Sequence, residues 1–171
     1  MRLFESLARL GTHATVALAA GWLAQGALAQ DQNQQPAAEA GGEQAVELTP
    51  EHPYIVKDGK VDFGVYNGYR RYHSVCHTCH GPDGLGGSFA PNLVHGFQDG
   101  KLNYDNFLDT VVNGRQNGNS VMPSFGMNTD VMNYIDDIYA YLKARADDAV
   151  GRGRPQRLPP EEDPIWQERR G

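Results

Sequence analysis

Cysteine is scarce in this sequence of 171 residues, which contains only Cys76 and Cys79. Both lie inside one five-residue motif, so no other cysteine pair is available to cross-link the fold. The length suits one domain with tails. A small helical domain without disulfides gains most from a large apolar group bound in its core.

Long apolar runs are also missing, since a membrane-spanning helix takes about 20 such residues. The apolar run from about Ala14 to Leu28 follows Arg2 and Arg9 and ends at Ala27-Leu28-Ala29, a small-x-small sequence typical of cleavage sites. We therefore interpret residues 1–29 as a signal peptide that is removed. A retained membrane anchor is the alternative.

Basic residues are in deficit, with 15 Lys and Arg against 21 Asp and Glu and a formal net charge of −6. Removal of residues 1–29 takes away two Arg and one Glu, which leaves 13 basic and 20 acidic residues. An acidic protein is a poor partner for nucleic acid or an anionic membrane. We expect a partner protein with a basic patch.

The segment Cys76-His77-Thr78-Cys79-His80 has the Cys-x-x-Cys-His spacing of a c-type haem attachment site. Residues three and four apart share one face of a helical turn, so two thiols and one imidazole can reach the same group. The cysteines of such a site form thioethers and the histidine binds the iron. A redox dithiol would need a preceding strand, and a zinc site would need two more ligands; neither context is evident.

Composition and periodicity divide the rest of the chain into three parts. Residues 30–50, with little periodic hydrophobicity, predict a disordered leader. Residues 51–150 predict a helical domain, and residues 151–171 predict an extended tail, either as a solvated strap or as a docking segment. The predicted elements are a β-hairpin of Tyr54–Lys57 and Lys60–Phe63 around Asp58-Gly59, helices over 65–75 and 104–113, a polar loop over 114–120, and a helix N-capped by Thr129 and ending near Val150.

Two sets of glycines have different expected roles. Gly68 lies on the first predicted helix, four residues before Tyr72. A glycine inside a helix lowers helix stability by about 1 kcal/mol relative to alanine. We therefore expect a packing reason for Gly68, namely close contact with the helix predicted over 129–150. The glycine-rich stretch 81–87 lacks the ending of a phosphate loop, and we expect it to let backbone pass close to a porphyrin edge.

Met122 is the candidate for the second axial iron ligand. It follows the polar loop, precedes Pro123, and lies 42 residues after His80. A thioether opposite a histidine raises the reduction potential, as an electron carrier requires. Met127, Met132, a histidine or an open position are the alternatives.

The other histidines of the mature chain are not expected to bind the iron. His77 is expected to face outward from the motif, and His73 is expected at the surface one turn earlier. His52 and His95 fall in predicted loops, where a single histidine is usually solvated.

The ordered set of residues in the domain resembles the class I c-type cytochromes. It comprises Gly68, Tyr72, Cys76, Cys79, His80, Pro91, Leu93, Met122-Pro123, Ile138, Tyr141 and Leu142, within residues 65–145. The resemblance implies an all-α class I cytochrome c domain with one covalent haem c. It also implies that the Pro91 carbonyl accepts a hydrogen bond from His80, and that Leu93 belongs to the haem-binding set.

A closer resemblance is to the methanol-metabolism-related c-type cytochromes, which accept electrons from PQQ-dependent alcohol dehydrogenases, including lanthanide-dependent ones. It is carried by the stretches 68–73, 76–84, 121–123, 141–146 and 151–155. It implies a monomeric periplasmic electron carrier with no enzymatic activity of its own, passing electrons to a downstream cytochrome or oxidase. The alternatives are a haem enzyme or gas sensor with an open sixth position, and a cytochrome subunit of a larger oxidoreductase complex.

Overall fold

The computed structural model describes residues 47–170, so the predicted signal peptide and most of the predicted leader lie outside the described residues. No helix within residues 47–170 has the length and apolar character needed to cross a bilayer. The helices are α1 (Phe63–Val75), α2 (His77–His80), α3 (Leu93–Gln98), α4 (Tyr104–Asn113), α5 (Thr129–Met132), α6 (Ile135–Ala146) and α7 (Pro164–Glu168), with 3-10 turns at Pro82–Gly84 and Pro160–Glu162.

Helix α1 begins where Asp62 caps it. The buried Asp62 carboxylate accepts the Val65 N–H (3.0 Å) and also the Ile55 N–H (2.6 Å), which joins the preceding strand to the helix. The prediction of a helix over 65–75 is confirmed, and the cap moves its start to Phe63.

Helices α1 and α6 cross at Gly68, as the sequence predicted. A Cβ at Gly68 would fall on the carbonyl of Asp137, and the Tyr141 side chain lies beside the same point. The crossing is surrounded by the core, whose largest fully buried apolar side chains are Tyr72, Tyr141, Ile138, Leu142, Val61 and Val65.

A small sheet lies beside α1. Strands β1 (Val56–Lys57) and β2 (Lys60–Val61) pair antiparallel around Asp58 and Gly59, which both have positive φ. The strand β5 (Gln156–Arg157) adds to β2 in parallel, with Lys60 opposite Gln156. The predicted extended tail is extended in β5, whereas Pro160–Glu162 forms a 3-10 turn and Pro164–Glu168 forms the helix α7. Pairing with β2 satisfies backbone groups that a solvated strap would leave to water.

The polar loop predicted over 114–120 is instead part of a second hairpin. Strands β3 (Arg115–Asn117) and β4 (Ser120–Met122) pair antiparallel around Gly118 and Asn119. The strands are almost wholly exposed, so they carry no alternation of apolar and polar residues. Turn chemistry and backbone pairing, rather than burial, define this hairpin.

The single helix predicted over 129–150 is two helices. Asn128, not Thr129, caps α5 by accepting the Val131 N–H (3.1 Å), and Tyr134 leaves helical geometry before α6 begins. The chain turns after Ala146 because Asp148 adopts positive φ, at 55°.

Candidate haem site

Helix α1 runs directly into the attachment motif. The Cys76 N–H donates to the Tyr72 carbonyl (2.8 Å) and the His80 N–H to the Cys76 carbonyl (3.0 Å), so helical geometry continues through it. Cys76 is half-buried, Cys79 is exposed, and both thiols are free. Burial, followed by the charge of Cys79, raises the pKa of Cys76 to about 11. Redox dithiols work through a lowered pKa, so this environment argues against that alternative.

The His80 ring is buried, with 8% of the residue exposed. Its Nδ1–H donates to the Pro91 carbonyl at 3.2 Å, which leaves the lone pair on Nε2. Burial lowers the pKa of His80, and the hydrogen bond to Pro91 opposes that shift only in part. The imidazole is therefore held neutral, which is the form that binds a metal.

Two glycines in the loop after His80 bring Pro91 back beside it. Gly81 and Gly86 have positive φ values, 72° and 80°. A Cβ at Gly81 would overlap the Gly86 carbonyl oxygen, and one at Gly86 would lie 2.6 Å from the Asn92 nitrogen. These close approaches are between loop backbones, a reason for the glycines that the sequence did not predict.

Leu93 begins helix α3, which was not among the elements predicted from sequence. Asn92 caps this helix by accepting the His95 N–H (2.9 Å), so His95 lies on a helix and not in a loop. Leu93 is half-buried and packs against the core. Asn92 followed by Leu93, Val94 and Phe97 is a helix-start signal, but Gly96 weakens it.

Met122 is the last residue of β4, where it lies opposite Arg115. It is half-buried and packs against the core. After Pro123, the Phe125 N–H donates to the Val111 carbonyl (2.8 Å), which ties the segment to the end of α4. The thioether is thus held by a hairpin on one side and by a helix end on the other.

The alternative methionines have different surroundings. Met127 is 95% exposed, so no surrounding structure fixes its thioether. Met132 is half-buried on α5 and packs against the core. The placement favours Met122 over Met127.

Asp83 is a buried residue of this region that no sequence pattern singled out. It follows the motif in the 3-10 turn Pro82–Gly84, with a positive φ of 62°. Its carboxylate accepts from the Gly153 N–H (2.9 Å), Arg152 Nε (3.2 Å) and the Tyr141 hydroxyl (3.4 Å). Burial alone would raise the pKa of Asp83, but these donors and the nearby arginines outweigh it and lower the pKa. Asp83 therefore joins the loop after the motif to the tail.

The donor set suits haem c. Two free thiols, one neutral buried imidazole and a half-buried thioether are the groups that attach and ligate such a haem. In the described part of the chain, no group of three or more His, Cys, Asp or Glu side chains is placed to hold a metal ion, whereas a structural zinc site takes four ligands.

Comparisons with known proteins give the family. Residues 65–142 match the family model described as cytochrome c oxidase, cbb3-type, subunit III. Cytochrome c-555 of Methylococcus capsulatus is 39% identical over 94 residues, which cover 54% of this chain and 72% of that protein. The crystal structure of the c-type cytochrome XoxG from Methylobacterium extorquens AM1 is similar with a TM-score of 0.57 and 45% identity, over 67% of this chain and 74% of that one. The chain belongs to the c-type cytochromes.

Membership of this family has direct consequences. This cytochrome carries haem c and has a mostly helical cytochrome c fold. Cytochrome c-553I of Paracoccus denitrificans is a further relative, 47% identical over 105 residues, which are 59% of this chain. The chain spans 46% of the length of that relative.

Proposed function

We propose that this cytochrome is a periplasmic carrier that accepts single electrons from a PQQ-dependent alcohol dehydrogenase, with methanol as the first substrate to test. A downstream cytochrome or oxidase would receive the electrons. The observation that carries the proposal is the hydrogen bond from His80 to Pro91, because it presents a neutral imidazole with its Nε2 free to bind iron.

His80 and Met122 would be the two axial ligands, and Cys76 and Cys79 the attachment points. When bound, haem c supplies an iron that takes up and releases one electron. The protein's part is to keep both ligands in place in both oxidation states, to which the Pro91 hydrogen bond and the anchored hairpin contribute. A carrier of this kind requires no general acid, base or nucleophile.

Two exposed apolar side chains offer a surface for transient docking. Phe89 is 79% exposed and lies two residues before Pro91, and Val121 is 67% exposed and directly precedes Met122. Both belong to segments that supply or orient the proposed axial ligands. Exposed apolar side chains in these segments fit the brief encounters of electron carriers.

The choice of donor rests on likeness to known proteins. The stretches 68–73 and 76–84 resemble the methanol-metabolism-related cytochromes, and XoxG is a structural neighbour at 45% identity. The acidic composition supports a donor with a basic docking patch. Export of the chain through residues 1–29 would place both proteins in the same compartment.

The test is a reduction assay. The ferric protein is mixed with a purified PQQ-dependent methanol dehydrogenase and methanol, and the appearance of ferrous haem is followed by absorbance. We expect reduction at a rate that saturates with cytochrome concentration. Reduction by a PQQ ethanol dehydrogenase with ethanol, but not by the methanol enzyme, would keep the carrier role and change the donor. No reduction by either would refute the proposed donor class.

Variants of the docking surface sharpen the assay. Phe89→Ser and Val121→Ser should raise the apparent KM for the cytochrome several-fold with unchanged spectra. Leu48→Ser, in the segment before β1, is the matched control and should leave the KM unchanged. Equal effects from all three variants would contradict docking at the ligand-bearing segments. Gel filtration of the same samples tests the alternative of a complex subunit, which predicts stable co-elution with the donor.

A further inference from the structure

His73, half-buried on α1, and His77, exposed within the attachment motif, lie one helical turn apart. Cys76 has helical angles (φ −81°, ψ −35°), and its N–H donates to the Tyr72 carbonyl at 2.8 Å. The spacing of four residues therefore places both imidazoles on one face of a continuous helical stretch. Their ring centroids are 5.7 Å apart and their planes differ by 21°.

The His73 ring is held in place by its surroundings. Its Nδ1 is 2.8 Å from the Tyr69 carbonyl oxygen, an acceptor, so Nδ1 carries the proton and Nε2 keeps its lone pair. The ring also packs against Tyr69 and Tyr72, with centroid separations of 4.1 and 5.1 Å. Metal-binding histidines in general are oriented in this way, by a hydrogen bond from the second ring nitrogen to a backbone acceptor.

The His77 ring is exposed and adjustable. Among residues 47–170, its ring contact is with His73, and no protein group hydrogen-bonds either of its ring nitrogens. One imidazole is thus preorganised, and the other is free to rotate towards the same point.

We propose that His73 and His77 form a bidentate surface site for a divalent transition-metal ion, with water completing the coordination. A tetrahedral ion bonded at about 2.0–2.1 Å to both Nε2 atoms would separate the ring centroids by about 5 Å. The observed separation of 5.7 Å exceeds this value by less than about 1 Å, and the exposed His77 side chain can rotate to bring its Nε2 to the ion. Two imidazoles favour Cu²⁺ most strongly among the first-row divalent ions, with Zn²⁺ and Ni²⁺ binding more weakly. The site uses neither His80 nor Met122 and does not depend on the proposed electron donor.

The test uses the haem-loaded ferric protein and Cu²⁺. Calorimetric titration should show one site, and the Cu²⁺ EPR spectrum should show coupling to two imidazole nitrogens. His73→Gln and His77→Gln should each weaken binding at that site by at least about tenfold, as the loss of an orienting or ligating group does at other metal sites. His95→Gln is the matched control, an exposed histidine on α3 outside the pair, and should change nothing.

Three results would overturn the proposal. They are an unchanged Cu²⁺ affinity in both single variants, an equal loss in His95→Gln, and an EPR spectrum with one nitrogen. An unchanged haem absorbance spectrum in each variant would show that the protein is folded. Weaker Cu²⁺ binding would then report on the site itself.

Discussion

Met122 and Met127 are five residues apart, yet one is half-buried and the other is 95% exposed. This difference makes a matched pair of substitutions possible. Met122→Ala should open the sixth iron position, so that the ferrous protein binds CO, and should lower the reduction potential on the order of 0.1 V, since axial ligands tune haem over roughly 0.8 V. Met127→Ala should change neither property. CO binding by both variants, or by neither, would contradict the assignment of Met122.

Gly68 leaves no room for a side chain at the crossing of α1 and α6. Gly68→Ala would drive its Cβ into the Asp137 carbonyl, and overpacking of this kind costs about 1–3 kcal/mol in the free energy of unfolding. Gly151→Ala is the control, because an added Cβ there would meet no other atom within 4 Å and φ is not positive. It should change the free energy of unfolding by less than about 0.5 kcal/mol. Urea unfolding of the haem-loaded proteins measures the stability of both variants. Equal stabilities of Gly68→Ala and Gly151→Ala would refute the close contact at Gly68.

At the scale of secondary-structure elements, Asp83 connects the loop after the motif to the tail. Asp83→Asn removes the negative charge of the carboxylate that accepts hydrogen bonds from Arg152 Nε and the Gly153 N–H. This substitution should lower the free energy of unfolding by about 1–2 kcal/mol near pH 7. Because the pKa of Asp83 is lowered in the folded protein, its stabilising effect is present above the unfolded value of about 3.9 and disappears as the pH falls below it.

Thermal melts at several pH values measure this effect. The gap between the wild-type protein and Asp83→Asn should be widest near neutral pH and should close below about pH 4. Asp58→Asn, in the exposed turn between β1 and β2, is the control and should show no such gap. A gap that widens in acid would mean that Asp83 is not a stabilising carboxylate.

Sequence patterns predicted α1 and α4, which bury apolar residues. They missed the exposed hairpin of β3 and β4, and also the short helix α3, where Gly96 weakens the pattern. Helices α1 and α4 carry clear stripes, and their predicted bounds agree with the structure to within two residues. The hairpin of β3 and β4 has an exposed surface, so its only signal was the two-residue turn Gly118-Asn119. The break between α5 and α6 falls at Tyr134, whose ring centroid lies 3.7 Å from the Arg71 guanidinium carbon, a long-range contact that the sequence pattern does not show.

The attachment motif could be read from sequence because its chemistry is local. Cys76, Cys79 and His80 need only helical spacing to share a face. The roles of Asp83 and of the tail could not be read, since they depend on residues about 70 positions apart meeting in the fold. Long-range polar contacts of this kind leave no periodicity in the sequence.

At the scale of the whole molecule, Arg169 fastens the tail to the core. Its Nη1 donates to Asp137 at 2.8 Å, and the buried Asp137 carboxylate also accepts from Asn67 Nδ2 at 2.7 Å. Arg169→Gln should lower the free energy of unfolding by about 1–3 kcal/mol, because the buried Asp137 carboxylate loses its charged hydrogen-bond donor.

Arg170→Gln provides the control for that substitution. Arg170 is exposed and lies 5.6 Å from the Trp166 ring, a contact worth about 0.5–1 kcal/mol at most. Hydrogen exchange of the β5 and α7 amides would report the effect directly, with faster exchange in Arg169→Gln than in Arg170→Gln. Equal protection in the two variants would show that the tail is held without the Asp137 pair.

The parallel pairing of β2 with β5 also has a kinetic consequence. Lys60 meets Gln156, so most of the chain lies inside the loop that this contact closes. Closing so long a loop is entropically costly, so the contact should form late in folding and break early in unfolding. The domain would then fold before its last strand docks, and release of β5 from β2 would be the first opening on the way to unfolding.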